Sequence, residues 1–296
     1  MIRISKFTQC WVFATAVLLS AFGTNAKTAV VFGATGAVGN EVLKSILRDK
    51  DDGSFFFDEV ILVGRREFPP KVTNLLPPST GLPRIVSVVH KDLTTIDHNQ
   101  ELSSLATDAC FVAVGAGSPQ LLDLSDWYDV EVTATGAMTR LCESMGAKSI
   151  SLLSAITTED APEPYSEKEL TKTGTPLGWW SSMGVNYPRI MGLKEKAVEK
   201  DSEQIPSVRI FRPSSIITEE LRYGWVDWTI FKVHAIIDPI VPAEIHSVTT
   251  KLLGNAMVKD AESLLSEEET TERTVTRLTY GDYVRIVGEE GVHNEL

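Results

Sequence analysis

The chain predicts an α/β fold built on a doubly wound, mostly parallel sheet with a small C-terminal lobe. Three observations carry this expectation. Short apolar runs alternate with helix-patterned segments along almost the whole length. The first run passes through glycines at 33, 36 and 39 straight into a helix pattern. The repeated strand-then-helix order fits a mostly parallel sheet covered on both faces.

The first 26 residues read as an export signal: Arg3 and Lys6, the apolar stretch from Trp11 to Phe22, then Thr24-Asn-Ala26 with small residues before a cut. The apolar stretch is short for a membrane span, so cleavage after Ala26 is preferred over a retained anchor, with no stable membrane insertion afterwards. The remaining residues, 27–292, then form one nucleotide-binding domain with a small lobe around 213–245, a size that suits one large α/β unit. The terminal His293-Asn-Glu-Leu296 is a variant of the Lys-Asp-Glu-Leu retrieval address. Together the two ends predict the lumen of the endoplasmic reticulum and a retrieval receptor as a partner.

The run ending at Phe32 is the first strand. Its Gly33-Ala-Thr-Gly36-Ala-Val-Gly39 turn would present backbone N–H groups and a helix N-terminus to a dinucleotide pyrophosphate. Gly33 allows the turn, Gly36 the close approach of phosphate, and Gly39 the packing of helix on strand; Thr35, Ala37 and Val38 share the site. Ordinary structural turns also use such glycines. The second strand, Val60 to Val63, leads to Arg65 and Arg66 where an NAD site would carry an acid, and an arginine there receives the additional phosphate of NADP. Arg65 and Arg66 therefore predict NADP(H), the alternative being a solvated basic pair.

A proline-rich loop holding Pro69, Pro70, Pro77 and Pro78 leads to a third strand, Ile85 to Val89. Asp92 just beyond it either touches the adenine or caps the next turn. The fourth strand spans Ala109 to Val114, and the small residues Gly115, Ala116 and Gly117 after it let a cofactor pass near the backbone together with Val114. A helix from Asp129 to Met145 crosses to the fifth strand, Ser149 to Leu153. Thr157 to Asn186 is an irregular segment with Trp179 and Trp180, read either as a substrate lid or as a loop pinned to the body, with both indoles buried in either case. A helix from Pro188 to Glu199, a strand from Ser207 to Phe211, the lobe, a helix from His246 to Met257, a strand from Thr274 and a last helical turn from Gly281 complete the chain.

Cys110 and Cys142 lie in apolar surroundings, and buried thiols are preferred over a bridge. The five histidines do not cluster, and no cysteine or histidine spacing fits zinc, so no metal is expected. The formal charge of −12 argues against a nucleic-acid partner or an anionic membrane surface. The oligomeric state stays open.

Val31-Phe-Gly-Ala-Thr-Gly-Ala-Val-Gly39, Val63-Gly-Arg-Arg66, Val114-Gly-Ala-Gly117, Leu152-Leu-Ser154, Tyr187 and Phe211-Arg-Pro213 occur in the order of an atypical short-chain dehydrogenase/reductase. Within that superfamily the chain most resembles the Tat-interacting-protein-type oxidoreductase-like branch. The resemblance implies a Rossmann fold, NADP(H) and hydride transfer to or from a small carbonyl, alcohol or sugar-like substrate. It implies Tyr187 as the proton carrier, Ser154 as a polarising hydroxyl or a strand-end contact to cofactor, and Pro213 beside the nicotinamide. The lysine expected four residues after the tyrosine is replaced by Met191, and Lys194, on roughly the same helical face, is the nearest substitute. The loss of that lysine leaves a second reading, a non-catalytic protein that senses NADP(H) or binds a partner.

Overall fold

A computed structural model describes residues 26–48, 54–69, 72, 83–218, 241–267 and 272–288. The export signal, the retrieval address and all but the ends of the expected small lobe lie outside the described residues. Among the described residues, no helix is long and apolar enough to cross a membrane.

Seven strands form one sheet in which each pairs parallel to its neighbours: β1 (Thr28–Phe32), β2 (Glu59–Gly64), β3 (Arg84–Val89), β4 (Ala109–Val112), β5 (Ser149–Leu153), β6 (Ser207–Phe211) and β9 (Thr274–Leu278). Two short strands, β7 (Ile216–Ile217) and β8 (Val248–Thr249), make a separate parallel ladder. The order in the large sheet is β3-β2-β1-β4-β5-β6-β9, so chain direction across the sheet reverses between β1 and β4. That reversal opens a crevice beyond the carboxyl ends of these two strands, where open parallel sheets bind ligands.

The helices are α1 (Ala37–Ile46), α2 (Gln100–Ser103), α3 (Leu124–Tyr128), α4 (Ala134–Ser144), α5 (Tyr187–Asp201), α6 (Thr250–Leu264) and α7 (Tyr280–Val287). Alternate strand residues feed two cores. Ala29, Val31, Val60, Leu62 and Phe111 pack with α1, α6 and α7 on one face, through residues such as Val42, Leu252 and Tyr283. Val30, Phe32, Ile61, Val112 and Ile150 pack with α4 and α5 on the other, through Met138, Leu141 and Val198. Burial on both faces is why β1, β2 and β4 carry near-continuous apolar runs.

Several boundaries differ from the sequence reading. The fourth strand stops at Val112, short of Val114. The crossover to β5 starts earlier than expected, at Leu124, because Asp123 accepts from the Asp126 N–H at 2.9 Å and caps α3. A wide π-type turn, Asp129–Thr133, joins α3 to α4. The expected His246 helix begins at Thr250, after β8. Cys110 on β4 and Cys142 on α4 are disulfide-bonded with their Cα atoms 6.3 Å apart, which corrects the expectation of free thiols. Both are buried, as expected, but burial alone does not separate a thiol from a bridge whose partner sits 32 residues away.

Candidate active site

The glycine turn has the form a phosphate cradle needs. Gly33 has φ +87°, and a Cβ there would sit 2.7 Å from the Ala113 carbonyl. A Cβ on Gly39 would collide with the Gly33 carbonyl. The Gly36 N–H donates to the Gly33 oxygen at 2.8 Å, and Gly36 is the N-cap of α1, where it supplies no side-chain cap. The first N–H groups of a helix have no partner within it, so those of Ala37, Val38 and Gly39 lack an intrahelical acceptor. Val38 and Gly39 are buried, and Thr35 is exposed at the tip.

Two cavities flank the end of β4, and Val114 is in the wall of both. The first, about 440 Å³, is the more polar of the two and carries charges of both signs; its wall includes Arg65, Lys91, Asp92, Thr94, Asp126, Asp129 and Lys172. Arg66 is exposed and outside this wall, so the structure brings only one of the two arginines to it. Asp92 is in the wall and also caps the turn Leu93–His98, accepting from the Thr94 hydroxyl at 2.7 Å and the Thr94 N–H at 3.0 Å. These bonds hold its carboxyl below the usual carboxylate range. Capping is thus realised, and the same side chain still faces the cavity.

The second cavity, about 290 Å³, holds Ser154, Tyr187, Met191 and Lys194 in one wall, with Gly115 and Gly117 on the β4 side. Tyr187 opens α5, its ring 6.1 Å from that of the buried Trp127. Lys194, two helical turns on, reaches the same cavity, but its ammonium is already engaged: it donates to the Val114 carbonyl at 3.0 Å and to Glu131 Oε2 at 2.9 Å. Glu131 Oε1 accepts the Ala116 N–H at 2.7 Å. These side-chain bonds take the backbone groups after Val112 that a longer fourth strand would have used. Both side chains of the pair are almost wholly buried, at 3% and 7% exposure.

The Ser154 hydroxyl donates to Glu195 Oε1 at 2.6 Å. Arg212 grips the same carboxylate from Nε at 2.9 Å and from Nη2 at 2.6 Å, and Arg277 adds a contact at 3.2 Å. The bond to Glu195 raises the Arg212 pKa further. A hydroxyl has one hydrogen. Ser154 therefore presents lone pairs, and no donor, to the cavity in this arrangement. Pro213 is buried and its carbonyl accepts the Ile156 N–H at 2.9 Å; it lies in neither cavity wall. Glu131 and Glu195 were missed from the sequence because carboxylates on helix-patterned segments read as solvated faces. The one available signal was Arg212, a charge placed directly after an apolar strand.

The segment after β5 is pinned to the body. Arg189 lies over the Tyr165 ring at 3.7 Å and donates to the Glu163 and Pro164 carbonyls, while Leu177 N–H donates to the Leu122 carbonyl at 2.9 Å. The two indoles part company, contrary to the expectation that both are buried. Trp179 is half exposed and in the wall of the second cavity, whereas Trp180 is 85% exposed. The last part of the segment, Trp180–Asn186, is a π-type turn running into α5. Among the described residues, no cluster of three or more metal-ligating side chains occurs.

No family model matches the sequence, and no curated protein matches it significantly. Solved structures do match the fold. One is 3-oxoacyl-(acyl-carrier protein) reductase from Brucella melitensis in complex with NAD, at 14% identity and TM-score 0.55, covering 88% of this chain and 99% of that one. Another is the Bordetella bronchiseptica enzyme WbmG in complex with NAD, at 12% identity and TM-score 0.52, covering 91% and 81%. A third is UDP-N-acetylglucosamine 4-epimerase from Methanobrevibacter ruminantium M1, at 15% identity and TM-score 0.52, covering 86% and 76%. The fold is a Rossmann-type α/β fold. In such a sheet the glycine turn and both cavities occupy the ligand crevice at the strand-order reversal.

Proposed function

We propose that this chain is an NADP(H)-dependent oxidoreductase of the endoplasmic reticulum lumen, acting on a small carbonyl or alcohol and nearest to the Tat-interacting-protein-type branch. One observation carries the reading: the glycine turn opens α1 just beyond β1, at the strand-order reversal where two cavities meet at Val114, one with Arg65 and the other with Tyr187 in its wall. The residues fit a dinucleotide, because Gly33 and Gly39 let the turn close tightly in front of α1 and the first N–H groups of a helix have no partner within it. The bound dinucleotide would supply or accept a hydride. Tyr187 would hold the proton at the substrate oxygen, and Ser154 would accept a hydrogen bond from a hydroxyl beside it. Lys194 and Glu131 would fix the backbone from Val114 to Ala116 that separates the two cavities.

The Cys110–Cys142 bridge supports a lumenal setting, since disulfides persist in oxidising compartments. The terminal His293–Leu296 address, with its receptor, belongs to the same proposal. Deleting these four residues should increase secretion, and unchanged retention would count against it.

The decisive experiment is calorimetric titration with NADPH and NADH, followed by hydride transfer to a carbonyl panel. We expect NADPH to bind more tightly, and Tyr187→Phe to lower turnover by about 10²-fold or more with cofactor affinity retained. No uptake of either nucleotide would overturn the reading. Met191 at the usual lysine position, and Lys194 engaged by Glu131, favour a second reading in which NADP(H) binding regulates a partner without turnover. Tight NADPH binding with no hydride transfer to any panel member would select it.

A further inference from the structure

We propose that the cavity beside Tyr187 is built for an uncharged carbonyl compound, or its alcohol, with an aromatic or aliphatic body, and that it rejects phosphorylated and nucleotide-linked sugars. This rests on the oxidoreductase reading and adds the chemistry of the substrate. The cavity wall is dominated by Trp127, Trp179, Met183, Met191, Leu153 and Ile216. Its charged members among the described residues are Glu131 and Lys194 alone, and they neutralise each other at 2.9 Å. Both oxygens of that carboxylate accept protein hydrogen bonds, and the ammonium donates to Val114 as well. A diphosphate entering here would lose part of its water and, among the described residues, meet no cation that is not already paired, a cost that unpaired burial makes large.

The entrance has the same character. Pro119 is in the wall, and the short helical turn Pro119–Leu121 packs against the Trp180–Asn186 turn. Leu121 and Val185 on these turns are 67% and 71% exposed, and Trp179 and Met183 pass from this surface into the wall. Clustered exposed apolar groups mark a binding surface more than a solvated one. Their continuity with the wall beside Tyr187 and Ser154 assigns them to a ligand whose polar atom lies at the floor and whose apolar body extends outward. Cations for phosphate stand on the far side of Val114, at Arg65, Lys91 and Lys172, where the nucleotide would take them.

The test uses the full chain after signal removal, saturated with NADP⁺, and calorimetric titration with two probes, 1-naphthaldehyde and UDP-glucose. Naphthaldehyde should bind saturably and UDP-glucose should not. Met183→Lys, a substitution at a partly exposed site, should weaken naphthaldehyde by about tenfold or more by placing an unpaired charge in the wall. Trp179→Ala should weaken it as well, with the circular dichroism of both variants unchanged. Saturable UDP-glucose binding, absence of naphthaldehyde binding, or equal naphthaldehyde affinity in wild type and both variants would each overturn the inference. NADPH titration of the cofactor-free protein from the same preparation is read separately, so a failure of cofactor binding is distinguished from a failure of the substrate assignment.

Discussion

The two cavities share one wall residue, Val114, yet they handle charge in opposite ways. In the polar one, Arg65 and Lys91 are exposed, and Lys172 pairs with Asp126 at 2.8 Å with both side chains at least half exposed. In the apolar one the charges are Lys194 and Glu131, sealed against each other and against the backbone. Exposed charges can be recruited by an arriving anion, whereas a sealed pair can only shape the site. The contrast teaches that counting cations near a crevice says little until the partners of each are known.

The sharpest way to break this comparison is to remove one member of the sealed pair. Lys194→Met leaves Glu131 as an uncompensated buried carboxylate and should cost about 3–5 kcal/mol of stability in a thermal or urea melt. Adding Glu131→Gln to it should recover part of that loss. Lys172→Ala, in the exposed pair, should leave the melting temperature unchanged. Equal effects of the two lysine substitutions would remove the distinction. Arg65→Ala tests the recruitable side: NADPH affinity should fall by about tenfold or more, as for a lost hydrogen bond to a charged group, while NADH affinity stays level.

A smaller effect concerns the segment that bridges both cavities. Burial pushes the Tyr165 phenol up to about 12, with Arg189 opposing the shift. Its folded pKa lies above the unfolded value near 10, so its contribution to stability is complete below pH 10 and is lost as pH rises toward 12. Spectrophotometric titration of wild type against Tyr165→Phe should show a phenol missing near 12. At neutral pH the same variant gives up the bond to Asn186, 2.9 Å in length, and should cost about 1 kcal/mol. A phenol titrating near 10 would show that the segment is not anchored as described.

The sheet was legible because the central βα units repeat the same physical demand: an apolar run covered on both faces, then an amphipathic helix. The glycine turn was legible for a related reason, since Gly39 is forced by the Gly33 carbonyl six residues earlier and Gly33 itself sits at positive φ, although the Ala113 carbonyl that crowds Gly33 lies far away in the chain. The floor of the apolar cavity was not. Glu131 meets a partner 63 residues away and Ser154 meets Glu195 across 41, and neither spacing leaves a periodic trace. Lys194 was singled out on helical geometry, and it does reach the cavity of Tyr187, but nothing in the sequence revealed that a carboxylate holds it. Trp180 was misjudged because its size argued for burial, while its π-type turn leaves it facing out.

The covalent link from β4 to α4 turns the stretch between residues 110 and 142 into a closed ring, and that ring contains Val114, Gly115, Gly117, Trp127, Asp126 and Glu131. The backbone dividing the two cavities thus lies within a loop closed by one sulfur–sulfur bond. A ring of this size restricts the unfolded chain by roughly 3–4 kcal/mol on the chain-entropy view. Copies made where thiols stay reduced would forgo that restraint, and both compartments of the crevice would loosen together.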